Sequence, residues 1–250
     1  MYKEETMPPS SKRIALVTGA NKGIGFETAR QIAASGATVL LGARNAELGQ
    51  KAAAELKAEG LDVRFLAIDL TDRASITTAA ASIAEDLGHL DILVNNAGII
   101  SHDDGAPSVA SLEAAETTLR TNFLGTLAVT QAMLPLLRKS TSARIVNVSS
   151  GLGSVTQQAD ANYPFAFAKF LGYSASKAAL NMLTAQLSYE LRDTAIKVNS
   201  SDPGYTATDL NENRGHQTIP EGAAETIRLA LLPDDGPTGS YSDRAGPVPW

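Results

Sequence analysis

Short β-branched and aliphatic runs alternate along this chain with longer, alanine-rich helical stretches. The runs predict strands at Ile14–Thr18, Thr38–Leu41, Arg64–Ile68, Ile92–Asn95, Arg144–Ser149, Lys197–Ser201 and Gly239–Ser242. The stretches between them predict helices over Ile24–Ala34, Ala46–Glu59, Ser75–Leu87, Ser111–Leu137, Tyr173–Arg192 and Glu221–Leu231. Within the runs, apolar residues follow one another instead of alternating with polar ones, which marks strands covered on both faces. Strands and helices taking turns, with short connections, imply right-handed crossovers. The expected fold class is α/β, a doubly wound parallel sheet of about seven strands flanked by helices. Such a sheet binds ligands beyond the carboxyl ends of its strands, where the strand order reverses.

Composition narrows this picture without changing it. The 250 residues suffice for one large domain, and no linker or internal repeat divides them. We expect residues 13–250 to form a single Rossmann-type catalytic domain, with 1–12 as a disordered arm outside it. Met1–Lys12 is polar, holds two prolines and lacks the apolar core of a signal peptide. A net charge of −6 offers no general attraction to nucleic acid or to an anionic membrane. Zero cysteines exclude disulfides, thiol catalysis and Cys-ligated metals. His89, His102 and His216 show no ligand spacing, so no metal site is expected. The longest apolar runs have strand length, so no membrane span is expected and the cytoplasm is the default location.

The candidate chemistry begins between the first strand and the first helix. Gly19, Gly23 and Gly25 let the backbone turn tightly and approach a pyrophosphate, and the helix N-terminus beyond them offers free N–H groups. Their G-x-x-x-G-x-G spacing differs from the general G-x-G-x-x-G dinucleotide fingerprint. NAD sites usually place an acid at the end of the second strand, for the ribose hydroxyls. Here that position reads Leu41-Gly-Ala-Arg44, with no acid. Arg44 suits a 2′-phosphate, and Lys22 in the glycine loop suits the same group from its other side. The expected cofactor is therefore NADP(H); the alternative is a pair of solvated cations. Asp69, at the end of the third strand, is placed either to bind adenine or to cap Thr71-Asp-Arg.

Four further motifs follow in order: Asn95-Asn-Ala-Gly98, Val148-Ser-Ser150, Tyr173-Ser-Ala-Ser-Lys177 and Asp202-Pro-Gly204. Together with the glycine loop they resemble the short-chain dehydrogenase/reductase family, from about Ile14 to Leu232. Within it the chain is most similar to NADPH-dependent carbonyl reductases. Gly19-Ala-Asn-Lys-Gly-Ile-Gly25, Gly42-Ala-Arg44 and Pro220-Glu-Gly-Ala-Ala-Glu225 with Leu229-Ala-Leu-Leu-Pro233 carry that closer likeness. The resemblance implies reduction of a ketone or aldehyde to an alcohol by hydride transfer, on a small-molecule carbonyl or alcohol substrate. It implies cofactor contacts from Gly19, Asn21, Lys22, Gly23, Ile24 and Gly25, then from Arg44, Asp69, Leu70, Asn96, Ala97 and Gly98. Pro203, Gly204, Thr206 and Thr208 complete the set with Tyr173 and Lys177, and residues 205–220 form a mobile substrate loop.

The same resemblance assigns Tyr173 as proton donor, Lys177 as its partner, Ser150 as the carbonyl-holding hydroxyl and Asn122 as the residue that holds a water beside the lysine. The chemistry supports the assignment. Hydride arriving at a carbonyl leaves negative charge on oxygen, which needs a nearby acid. Lowering a tyrosine pKa by about 3 units takes roughly 4 kcal/mol, and a lysine at i+4 on the same helix face supplies part of it. Asn122 also reads as a polar residue that bends its helix. Ser149 and Ser150 point to opposite faces, and the family pattern favours Ser150. The family's usual serine–tyrosine spacing would select Tyr163, but Pro164 follows it and no lysine sits at i+4, so Tyr173 is preferred ten residues on. The intervening segment gathers Tyr163, Phe165, Phe167 and Phe170, either as a wall of the substrate site or as an insert packed on the sheet or a neighbouring subunit. The ending Arg244–Trp250 departs from the family's glycine-rich acidic tail, so a homo-oligomer stays open. Two alternatives remain beside carbonyl reduction: a 3-oxoacyl-thioester reductase and a non-catalytic NADP(H) sensor.

Overall fold

The computed structural model describes residues 12–250; the arm expected over 1–12 lies, except for Lys12, outside the described residues. Among the described residues, the apolar runs assemble into one sheet. From its middle, β1 (Ile14–Thr18), β2 (Thr38–Ala43) and β3 (Val63–Ala67) step outward one way. On the other side come β4 (Ile92–Asn95), β5 (Arg144–Val148), β6 (Lys197–Ser201) and β7 (Tyr241–Asp243). All these pairings are parallel. A short β8 (Gly246–Pro247) adds antiparallel to β7, so the sheet has eight strands where about seven were expected. Two residues are too few for a run of apolar side chains to announce them.

The double-sided apolar pattern is explained by the register. Ala15 and Val17 of β1 join one core, and Ile14 and Leu16 join the other. The first core is closed by α1 (Gly23–Ala34), α2 (Ala46–Ala58) and α8 (Ile219–Ala230), through residues such as Ile32, Leu56 and Leu229. The second is closed by α3 (Arg73–Asp86), α5 (Thr126–Leu137) and α7 (Leu171–Glu190), through Ile83, Met133 and Leu187. Val17 pairs with Leu41 on one side and Val94 on the other, and all three are fully buried. Each such side chain contributes roughly 1.5–3 kcal/mol of burial.

The helix expected over Ser111–Leu137 is not uniform. It begins as α4 (Leu112–Leu119), widens into a π-helical turn over Arg120–Gly125, and continues as α5. Two tertiary constraints account for the wide turn. The Asn122 amide leaves its own helix to bond the backbone of Ile99, and Gly125 lies where a Cβ would come within 2.6 Å of the Leu70 carbonyl oxygen. A five-residue α6 (Val155–Ala159) forms in the segment before α7. Among the described residues, no helix is long and apolar enough to cross a membrane.

Candidate active site

The strand order reverses between β1 and β4, and a groove of about 480 Å³ opens beyond the carboxyl ends of the strands there. Its floor is the turn after β1. Gly19 and Gly23 adopt φ of +62° and +60°, which side-chain-bearing residues rarely hold. The turn is also locked from beneath. A Cβ on Gly19 would meet the Ala97 Cα at 2.8 Å, and one on Gly25 would meet the Asn96 Nδ2 at 2.3 Å. Asn96 Nδ2 donates to the carbonyls of Thr18 and Gly19, and the Thr18 hydroxyl accepts from the N–H groups of Asn96 and Ala97. Thus Asn96 and Ala97 brace the glycine turn, and they line the groove with Gly98.

Of the residues expected to meet a cofactor, Gly19, Asn21–Gly25, Arg44, Asp69, Leu70, Asn96–Gly98 and Thr208 all line this groove. Their chemistry suits a dinucleotide. The residue preceding α1, Lys22, makes no side-chain cap, which leaves the first N–H groups of the helix for an anion. Arg44 stands exposed at the end of β2 and makes no ion pair among the described residues. Lys22 differs from expectation: its amine donates to Asp209 at 2.7 Å across the groove. Asp69 closes a local turn, accepting from the Thr71 N–H and hydroxyl, which together with Arg44 hold its carboxyl below the usual range, while α3 is capped by Asp72. Pro203, Gly204 and Thr206 form the turn after β6 without lining the groove; on that side Thr208, Asp209 and Leu210 do.

Of the residues expected for proton transfer, Asn122, Ser150, Tyr173 and Lys177 do not line the groove, but Lys177 and Asn122 lie directly behind its lining residue Gly98. A Cβ on Gly98 would lie 3.5 Å from Lys177 Nζ and 3.4 Å from Asn122 Oδ1. Tyr173 and Lys177, one turn apart on α7, are both buried. Lys177 Nζ is 5.6 Å from the Tyr173 ring centroid and donates to the Val148 carbonyl at 2.7 Å. Ser150, just past β5, accepts from Leu152 N at 3.2 Å and opens a short turn over Gly151–Gly153. Ser149 turns instead into the sheet, buried beside α7. Asn122 accepts from Ile99 N at 2.8 Å and donates to Ile99 O and Ser176 Oγ.

The Tyr173 phenol lies above its ordinary value where a lowered one was expected: burial pushes it up to about 12, against a hydrogen-bonding pull from Ser150 and with an added push from Asp202. Burial brings the Lys177 amine down to about 8, opposed by Asp202. Asp202 bears on both groups, yet the sequence reading gave it no role. Its Oδ1 accepts from Gly204 N at 2.9 Å, and burial pushes its own carboxyl up. An acid ending β6 directly before Pro-Gly was the signal.

The aromatic segment packs onto the turn and loop after β6. Tyr163 meets Phe165 edge-on at 5.7 Å, Phe165 meets Tyr205 at 5.8 Å, and Tyr205 meets His216 at 5.9 Å. The Tyr163 hydroxyl reaches toward Gly151, the residue after Ser150. No group of three or more potential metal ligands occurs among the described residues.

The sequence model for short chain dehydrogenases matches residues 13–219. Short-chain dehydrogenase/reductase 1 of Saponaria officinalis is 35% identical, with 96% of this chain and 97% of that protein covered. (+)-Neomenthol dehydrogenase of Capsicum annuum is 33% identical, over 93% of this chain and 96% of that one. Among solved structures, an NADPH-bound carbonyl reductase from chicken fatty liver superposes with a TM-score of 0.83 at 30% identity, covering 96% of this chain and 99% of that one.

Proposed function

The chain belongs to the short-chain dehydrogenase family, and from that premise we propose that it is an NADP(H)-dependent carbonyl reductase, with Tyr173 as the proton donor. The observation that supports this reading is a groove presenting a glycine turn and an unpaired Arg44, whose lining residue Gly98 backs onto Lys177 and Asn122, with Tyr173 one turn before Lys177 on α7. The reduced nicotinamide, when bound, supplies the hydride. Gly19, Gly23 and Gly25 with the start of α1 hold the pyrophosphate, and Arg44 holds the 2′-phosphate. Lys22 joins Arg44 on giving up Asp209. Asp69 and Leu70 flank the adenine, Asn96–Gly98 the riboses, and the turn from Pro203 through Thr206 to Thr208 the carboxamide and pyrophosphate.

The chain's own groups then handle the proton. The Ser150 hydroxyl donates to the substrate carbonyl and fixes its oxygen beside the Tyr173 phenol. Burial keeps that phenol protonated at neutral pH, so the proton to be transferred is in place. As negative charge develops on the substrate oxygen, the phenol proton moves to it and a phenolate remains. The nearby Lys177 ammonium stabilises that phenolate, and Asn122 holds the helix and backbone around them. Relatives named for neomenthol dehydrogenase and carbonyl reductase activity support a ketone or aldehyde as substrate.

A panel of ketones, diketones and quinones offered with NADPH and, separately, NADH tests the reading. We expect turnover of a ketone with a clear preference for NADPH. NADP(H) binding without oxidation of cofactor at saturating substrate would point to a sensor instead.

A further inference from the structure

We infer that Asp104 is a positioning residue for the catalytic tyrosine, tying the backbone of Tyr173 to the loop that lines the cofactor groove. The inference rests on the reading of Tyr173 as proton donor and goes beyond it by naming what holds that donor in place. The N-terminus of α7 is unusual in its capping. Phe170, which precedes the helix, offers no side-chain acceptor. The acceptor comes from 68 residues upstream. Asp104 Oδ1 accepts from Gly172 N at 2.9 Å, and Oδ2 accepts from Tyr173 N at 2.8 Å. The same Oδ1 accepts from Gly105 N at 2.9 Å, and the Gly105 carbonyl accepts from Leu171 N at 2.9 Å, so the carboxylate cannot swing away without breaking its own loop.

The other end of the Tyr173 peptide is tied to the same loop. Its carbonyl accepts from Ser176 Oγ at 2.7 Å, Ser176 Oγ accepts from Asn122 Nδ2 at 3.0 Å, and Asn122 clasps both backbone groups of Ile99. Ile99 and Asp104 are five residues apart on one loop. Tyr173 is thereby gripped through its N–H and its C=O by a single segment, residues 99–105. That segment also lines the cofactor groove through Ile99, Ile100 and His102. Gly172 makes the fit close: a Cβ there would meet Ala115 Cα at 2.8 Å. A charged acceptor serving two helix-terminal N–H groups suits the positive end of α7. Displacing a donor by about 1 Å costs on the order of a hundredfold in rate, so the grip matters for chemistry beyond its contribution to folding.

The test uses the full-length protein with NADPH and a ketone that it reduces, comparing Asp104→Ser, Asp104→Asn and Tyr173→Phe. Serine keeps one cap acceptor for the helix and loses the two-pronged grip. Asparagine keeps the shape and sets an amide donor against the Tyr173 N–H. We expect kcat to fall by about tenfold or more in both Asp104 variants, with the NADPH Kd from nicotinamide fluorescence changing by less than about twofold. We also expect a larger solvent deuterium isotope effect on kcat, because proton transfer becomes slower than the other steps. Near-normal kcat in both variants overturns the inference, as does a loss of kcat with an unchanged isotope effect or in proportion to lost NADPH binding. If Tyr173→Phe itself turns over normally, the underlying reading fails instead.

Discussion

Lys177 shows how burying a charge at a single residue works against stability. Burial lowers its amine to about 8, from an ordinary value near 10.4. Below pH 8 the lysine is charged in both the folded and the unfolded chain, and folding bears the full cost of burying that charge. Between pH 8 and about 10.4 only the unfolded chain stays protonated, and the cost fades as pH rises. Lys177→Met should therefore raise stability at pH 7 by about 2 kcal/mol, after allowing for the lost bond to Val148, and the gain should shrink towards pH 10. Thermal unfolding at the two pH values checks this, with reductase activity lost in the variant throughout. Arg44 and Lys22 make a second contrast. Arg44 has no ion-pair partner among the described residues, whereas Lys22 must first leave Asp209. Arg44→Ala should weaken NADPH binding by about 1–3 kcal/mol, Lys22→Ala by less, and NADH binding should change little in either. Titration by fluorescence distinguishes them. At this scale the candidate residues came from the motifs and the family resemblance, since spacing alone would have selected Tyr163. The pairing of Lys22 with Asp209 was not, because the two lie 187 positions apart and nothing local couples them. Nor was the raised Tyr173 pKa, since burial is a property of the assembled fold.

Among the elements, α7 depends most on its neighbours. Its existence was readable from the alanine-rich run that starts at Tyr173, but its start at Leu171 was not. The cap that fixes that start is Asp104, supplied by another loop, and no N-cap residue stands next to the helix for a reader to find. The same holds for the π-helical turn at Arg120–Gly125. Its sequence offers a bend at Asn122 as one alternative, but the pull of Ile99 on Asn122 and the close approach of Leu70 to Gly125 are what reveal the wider turn. The close fit at the head of α7 yields a prediction. Gly172→Ala would set a methyl 2.8 Å from Ala115 Cα, and backbone cannot yield there as a flexible side chain would. We expect about 1–3 kcal/mol of destabilisation and a loss of kcat, measured by denaturant unfolding and steady-state turnover. By contrast, α2, α3, α4 and α8 carry local caps at Asn45, Asp72, Ser111 and Thr218, and sequence reading set the starts of α2 and α4 to within one residue.

Across the whole molecule, the double-sided apolar strands made the parallel sheet and its reversal point legible, because each strand must be buried on both faces. What escaped was β8, two residues at the far edge that no apolar run announces, whereas β7, expected over Gly239–Ser242, forms over Tyr241–Asp243. Arg144 illustrates the kind of long-range tie that periodicity cannot show. It lies in β5, is 1% exposed, and donates to the Leu232 carbonyl and to Asp234 beyond α8. Arg144→Ala should cost about 2 kcal/mol in urea unfolding, since it empties a buried site and leaves the Leu232 carbonyl without its donor, while Asp234 is itself exposed to solvent. All of these ties serve one proposal, that the sheet edge presents a bound nicotinamide and a substrate carbonyl to a protonated Tyr173. The most direct test is the turnover of a ketone by Tyr173→Phe at saturating NADPH, with NADPH binding measured on the same sample. A fall of about a hundredfold or more in kcat, with cofactor affinity within about twofold of the original protein, is the predicted result; near-normal turnover would contradict it.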